Sequence, residues 1–380
     1  MKANSFILCS GLLCVCKGTS LAASVITETV PPPPQYTVTD LGSLGWVAAI
    51  GTGINATGQI SGYVSNSVRV HLTGFRAAKW TSTPGQIIFD LSGIGSFESW
   101  FGYDSQAHDI NDAGQLAGAS RIVGAPNPSD NPYHAVRWNG VTPTDLGTLG
   151  GTESFGLAIN ASGQVAGYSQ IAGNAAYRAV VWTGTTATAL GTLGGTNSEA
   201  WDINDIGQVV GSSSLPDNVN RHAVRWTGTI PTDLGIGDAR GINNAGQVIG
   251  TMGNHATIWT GTTPTDLGTL GGSSSEGLDI NAFGVAVGMS FTTGNLSNEP
   301  FISIDGMMYN LNTLLAPNSN LFSLRVTGIN DRGQIVGYGN IGGGQHAVRL
   351  NPVTPVPEPA TGLLMLGSAA MLFLRRRARG

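Results

Sequence analysis

Ile203-Asn204-Asp205-Ile206-Gly207-Gln208-Val209-Val210-Gly211, and further on His222-Ala223-Val224-Arg225-Trp226-Thr227-Gly228-Thr229-Ile230-Pro231-Thr232-Asp233-Leu234-Gly235, hold the fold in miniature. Asn-x-x-Gly places an amide side chain where it can bond the backbone of a turn. Its Gly supplies the positive φ that a hairpin with a bulge demands. Trp226–Leu234 is a second hairpin signal, with Gly228 at the bend. Two linked hairpins make four short strands.

The same unit recurs along the chain. Ile-Asn pairs stand at Ile54-Asn55, Ile110-Asn111, Ile159-Asn160, Ile203-Asn204, Ile242-Asn243, Ile280-Asn281 and Ile329-Asn330, each with Gly four residues after the Ile. Gln follows that Gly in six copies, and Val285 replaces it in the other. Successive asparagines are 56, 49, 44, 39, 38 and 49 residues apart, which suits one four-stranded sheet per unit. Each copy also carries a Thr-Asp-Leu-Gly-like strand, around Leu41, Leu91, Leu146, Leu190, Leu234, Leu267 and Leu311. The first strand, Tyr36–Gly42, is of this type, whereas the last, His346–Leu350, is of the His-Ala-Val type. The N-terminal strand is thus left over to complete the last unit. This order predicts an all-β, seven-bladed β-propeller of four-stranded repeats, residues 36–350, closed by its N-terminal strand. An open β-solenoid is the rival; it would leave that strand unpaired and need capping units.

The internal pattern resembles the HAF repeats of bacterial extracellular proteins, through His-Ala-Val at His134, His222 and His346. The copies at Arg76, Arg178 and Pro300 depart from it. The resemblance implies an exported repeat protein and brings no catalytic residues with it.

Both ends read as targeting segments. Residues 1–23 open with Lys2, continue with an apolar stretch and close on Ser20-Leu21-Ala22-Ala23, the order of a secretory signal peptide. All three cysteines, Cys9, Cys14 and Cys16, fall inside it, so the mature chain is expected to carry no thiol. A Pro-rich linker follows at 24–35. In the segment 351–380, Pro357-Glu358-Pro359 precedes the apolar run 360–374 and then Arg375, Arg376 and Arg377. Fifteen residues of helix reach about 22 Å, short of the ~30 Å hydrocarbon layer, so a short, marginal transmembrane helix is expected. The arginines would hold its end on the cytoplasmic side. These three elements resemble the PEP-CTERM sorting signals of Gram-negative bacteria. The resemblance implies an exosortase-type membrane protease as partner, transient inner-membrane anchoring, cleavage near the Pro-Glu-Pro, and delivery to the cell surface or medium.

Without the basic residues of the two ends, 12 basic residues face 23 acidic ones. That balance argues against nucleic acid and anionic lipid headgroups as partners. His134, His222, His255 and His346 occupy equivalent repeat positions, held apart by the repeat itself, so neither a metal nor a catalytic centre is expected from them. Asp109–Gly114 and Asp202–Gly207 lack the alternating ligands of a calcium loop, and turn stabilisation is the expected role. No cofactor motif or nucleophile elbow is present. Acids of different repeats could still meet on an axis, as glycoside chemistry requires.

A cluster of aromatics, Phe97, Trp100, Phe101 and Tyr103, marks extra length in the second unit. Trp100, Phe101 and Tyr103 are the candidate ligand-binding residues, with rings suited to sugar faces. Filling of a gap between sheets is the competing role, since Trp46, Phe155 and Trp201 stand in corresponding connections. The expectation is a non-catalytic surface or matrix protein binding exopolysaccharide or envelope partners. The alternative is a propeller hydrolase or lyase acting on polysaccharide.

Overall fold

The computed structural model describes residues 32–65, 74–81, 90–91, 104–122, 132–317 and 319–353. Apart from short 3-10 turns, their regular structure is all β-strand. Strand β1 (Tyr36–Gly42) stands before a meander of β2 (Ala48–Ile54), β3 (Ile60–Ser65), β4 (Phe75–Trp80) and β5 (Asp90–Leu91). The next holds β6 (Ser105–Ile110), β7 (Leu116–Arg121), β8 (Tyr133–Asn139) and β9 (Thr142–Asp145). After it come β10 (Gly150–Ile159), β11 (Val165–Ile171), β12 (Tyr177–Thr183) and β13 (Thr186–Ala189). Then follow β14 (Ser198–Ile203), β15 (Gln208–Ser214), β16 (Arg221–Thr227) and the long β17 (Ile230–Ile242). β18 (Gln247–Met252), β19 (His255–Thr260) and β20 (Thr263–Asp266) continue from it. β21 (Gly271–Ile280), β22 (Ala286–Thr292), β23 (Asn298–Ile304) and β24 (Met307–Asn310) precede β25 (Phe322–Ile329), β26 (Ile335–Ile341) and β27 (Gly344–Pro352).

Hydrogen bonding divides these strands into five sheets, of 8, 4, 7, 4 and 4 strands, where the repeat count suggests seven. Two local causes merge neighbours. Leu234 and Asn243 are nine residues apart, against fourteen from Leu146 to Asn160, so β17 has no room for a loop and serves two meanders. A single parallel bridge, Ala48 to Gln345, joins β2 to β27. β1 lies antiparallel to β27, with Tyr36 opposite Pro352 and Asp40 opposite Val348. The leftover N-terminal strand therefore does complete the last meander. The innermost strands β2, β6, β10, β14, β17, β21 and β25 touch in succession, and β25 returns to β2.

Each innermost strand carries a bulge two residues before its Ile; residues 108, 201 and 240 are examples. The bulge swings a carbonyl over the second strand. A Cβ on Gly118 would lie 1.9 Å from the Gln106 oxygen, and one on Gly211 1.9 Å from that of Glu199. This explains the last Gly of Gln-Val-Val-Gly: its missing side chain makes the space.

Apolar clusters fill the gaps between meanders. One joins Ala158, Ala166 and Ala179 to Ile203, Val209 and Trp226 of the next unit. Another joins Val336 and Ala347 of the last unit to Ile60 and Trp80 of the first. A small-residue face thus receives the indole-bearing face of its neighbour. Trp80, Trp138, Trp182, Trp226 and Trp259 are at most 1% exposed. Burying a side chain of this size is worth a few kcal/mol, at about 25 cal/mol per Å².

Phe155 and Trp201 prove to be strand residues of β10 and β14, because those strands extend further than the turn signals suggest. Among the described residues no helix is long and apolar enough to cross a membrane. The signal segment 1–23, the Arg tail and the apolar run 360–374 lie outside them, as does the linker up to Pro31.

Candidate functional site

The seven Asn-x-x-Gly turns gather at one point. Each Gly has φ between 70° and 81°, as a left-handed turn position requires. Each Asn is 2–5% exposed. The Asn204 Oδ1 accepts the Gln208 backbone N–H at 2.9 Å, and Nδ2 donates to Gln208 Oε1 at 3.0 Å. The second Nδ2 hydrogen leaves the repeat and reaches the Asn243 carbonyl at 3.1 Å. Equivalent bonds run Asn55 to Asn111, to Asn160, to Asn204, then from Asn243 to Asn281 and to Asn330. Asn330 donates back to the Asn55 carbonyl at 2.9 Å. Only Asn can do this: Asp lacks the donors, and Gln is longer by a methylene. The partner Gln fails only where Val285 stands, and there Asn281 keeps its outward bond.

The circuit frames a depression of about 210 Å³ lined by the Ile-Asn-x triplets. Its further polar atoms are also engaged. Asp112, Asp205 and Asp331 accept the backbone N–H of Ala56, Ala161 and Ala282, each at 2.8 Å. From the outer side Arg137 reaches the Gly163 carbonyl at 3.0 Å, and Arg349 reaches that of Gly58 at 3.1 Å, tying last repeat to first.

Behind the asparagines lies a layer of acids. Asp109, Asp202 and Asp279 each accept the N–H of the following Ile on one oxygen, at 2.7 Å. The other oxygen accepts the Ile N–H of the next repeat: Ile159 at 2.9 Å, Ile242 at 2.7 Å and Ile329 at 2.8 Å. Asp109 and Asp202, expected to steady their own turns, thus also bind the neighbouring repeats. They are half-buried, each held between two strand ends. Burial pushes the Asp109 pKa up to about 7, aided by the Asp279 charge and opposed by the two N–H bonds. Burial likewise lifts Asp279 to about 6, and Asp202 well above the usual carboxylate range, with Asp279 and Asp109 adding to the latter. The neighbouring bulge residue Arg240 rests its guanidinium 4.1 Å above the Trp201 ring.

On the outer strands the four repeat histidines are paired. His134, His222, His255 and His346 meet Asp145, Asp233, Asp266 and Asp40 at 2.8–2.9 Å. The last pair joins β27 to β1. Among the described residues no group of three or more His, Cys, Asp and Glu could hold a metal ion. Trp100, Phe101 and Tyr103, the sorting residues Pro357, Glu358 and Pro359, and Arg375, Arg376 and Arg377 lie outside the described residues.

Residues 355–378 match the family described as the PEP-CTERM protein-sorting motif. That motif marks export and exosortase-dependent sorting at the membrane, on the way to the cell surface. Among solved structures the chain is similar to the β-propeller domain of the Trilobed protease from Pyrococcus furiosus, at 11% identity and a TM-score of 0.31. The alignment covers 70% of this chain and 65% of that one. No curated protein matches the sequence.

Proposed function

We propose that the mature protein is a non-catalytic cell-surface or matrix protein whose core is a seven-bladed β-propeller of HAF-like repeats, binding exopolysaccharide or an envelope partner. The asparagine circuit carries this reading. A side-chain bond from every repeat to the next, with Asn330 returning to Asn55, is what a ring of equivalent units requires. The polar groups at its mouth and the Asp109 layer are spent on backbone N–H groups, which suits a scaffold more than a reaction centre. Exported without a thiol in its mature part, such a ring depends on packing and these bonds for stability.

A polysaccharide hydrolase or lyase is the second reading, favoured by half-buried acids of different repeats whose pKa values fall near neutrality. Incubating the protein with neutral and acidic polysaccharides separates the two. Retention on an affinity gel with no change in polymer size supports the binder. New reducing ends or unsaturated products that vanish in Asp109→Asn would replace it with the enzyme. Sorting is tested by intact mass from cells with and without the exosortase: loss of the tail only in the former is expected, and a tail retained in both refutes it.

A further inference from the structure

At the ends of the strands remote from the asparagine turns, four rings form a continuous column. Tyr133 of β8 leans on Phe155 of β10, with ring centres 5.5 Å apart. Phe155 stacks on Tyr168 of β11 at 5.1 Å and 27°. Tyr168 meets Tyr177 of β12 edge-on at 5.5 Å. The column bridges two meanders, and Arg121 caps it 4.7 Å above Tyr133.

These rings differ from the aromatics that fill the core. The repeat tryptophans and Phe301 are at most 1% exposed, whereas all four column residues are only half-buried. Acids stand along the column. Tyr133 donates to Asp104, which also pairs with Arg121 at 3.1 Å. Tyr177 donates to Glu153 at 3.2 Å and accepts from Gln170 at 3.0 Å. Glu199 is held by Arg221 at 2.9 Å. Between them the Tyr168 hydroxyl makes no hydrogen bond within the described residues. Burial raises its pKa to about 12, with the Glu199, Tyr177 and Glu153 groups adding to the shift.

We propose that this column, centred on Tyr168, is the sugar-binding site and that its ligand is an uncharged polysaccharide. The inference rests on the polysaccharide-binding reading and gives it a place and a ligand class. Half-buried aromatic rings offer faces on which the C–H groups of pyranose rings stack, and a few fixed polar groups set orientation. Glu153, Glu199 and Gln170 offer acceptors for sugar hydroxyls, and Tyr168 offers a donor. A uronic acid or sulfated sugar would bring its charge against Asp104, Glu153 and Glu199.

The full chain is titrated calorimetrically with cellohexaose, xylohexaose, maltohexaose and hexagalacturonate. At least one neutral hexamer should bind, and hexagalacturonate should bind about tenfold more weakly or not at all. Tyr168→Phe and Glu153→Gln keep shape while removing one hydrogen-bonding group each. Each should weaken binding about tenfold, the loss expected for one unpaired polar contact, with an unchanged melting temperature. His255→Ala, on another repeat, should leave affinity within about twofold. Wild-type protein that binds while Tyr168→Phe and Glu153→Gln bind equally well, or while hexagalacturonate binds best, overturns this inference alone. Wild-type protein that binds none of the hexamers, nor any neutral or acidic polysaccharide on a gel, overturns the polysaccharide reading with it.

Discussion

Among the described residues, five repeats turn twice on a positive-φ glycine, and the two turns live under different rules. At the inner turn, Gly207 closes a loop whose Asn is bonded to its own repeat and to the next. At the outer turn, Gly228 has no atom within 4 Å of where a Cβ would sit. The inner motif is kept in every copy, while the outer strands exchange His for Arg178 or Pro300 and Asp for Ala189 or Asn310. Geometric errors accumulate toward an axis where all units must meet; at the rim each unit answers to itself.

Substitutions that set the inner edge against the outer one test this contrast. The largest effect belongs to Gly211→Ala, whose Cβ would press on the Glu199 carbonyl: a loss of about 3 kcal/mol or more is expected, read by urea denaturation. Gly228→Ala, constrained by backbone conformation alone, should cost about 1 kcal/mol. Asn204→Ala takes the acceptor from the Gln208 backbone N–H and one of two donors from the buried Asn243 carbonyl, which keeps the Gly246 N–H, and should cost about 2–4 kcal/mol; Asn281→Ala, lacking a Gln partner, should cost less. Equal losses at Asn204 and Asn281 would mean that the Gln contact is idle.

The acid layer gives a pH test. Asp109, Asp202 and Asp279 have folded pKa values above the unfolded one, so their contribution is complete at low pH and is lost as pH rises through about 6 and 7. Melting temperature should therefore fall between pH 5 and pH 8, and the slope should flatten in Asp279→Asn. Asp266 has the opposite sign: its bond to His255 holds its pKa down, so that pair weakens only as pH drops through the acid range. The smallest effect is His222→Ala on the rim, at most about 1 kcal/mol, since Asp233 is half-exposed. A loss as large as that of Asn204→Ala would erase the distinction between axis and edge.

Much of the architecture was legible in local spacing. Asn-x-x-Gly announced both the turn and its positive φ, and the order of strand types announced the pairing of β1 with β27. Three things were not legible. The second Nδ2 hydrogen of six asparagines bonds 38 to 56 residues away, and that of Asn330 bonds 275 residues away, where no local pattern reports it. The merging of two meanders through β17 was written only as a nine-residue spacing in place of fourteen. The column at Tyr168 has no motif, because its rings come from four strands and converge only after two meanders pack. A partial signal did exist for the rim: His-Ala and Thr-Asp recur together in three repeats, eleven residues apart.

The pairing of β1 with β27 also orders events in time. Asp40 and His346 are 306 residues apart, and Gln35 accepts the Val353 N–H at 2.7 Å, so both ends of the core leave along the same edge. A chain made from its N-terminus must hold Tyr36–Gly42 unpaired until β27 has been made. Completion of the structure thus waits for the residues just ahead of the sorting motif at 355–378, so a chain shortened before Pro352 would lack the partner of its own first strand.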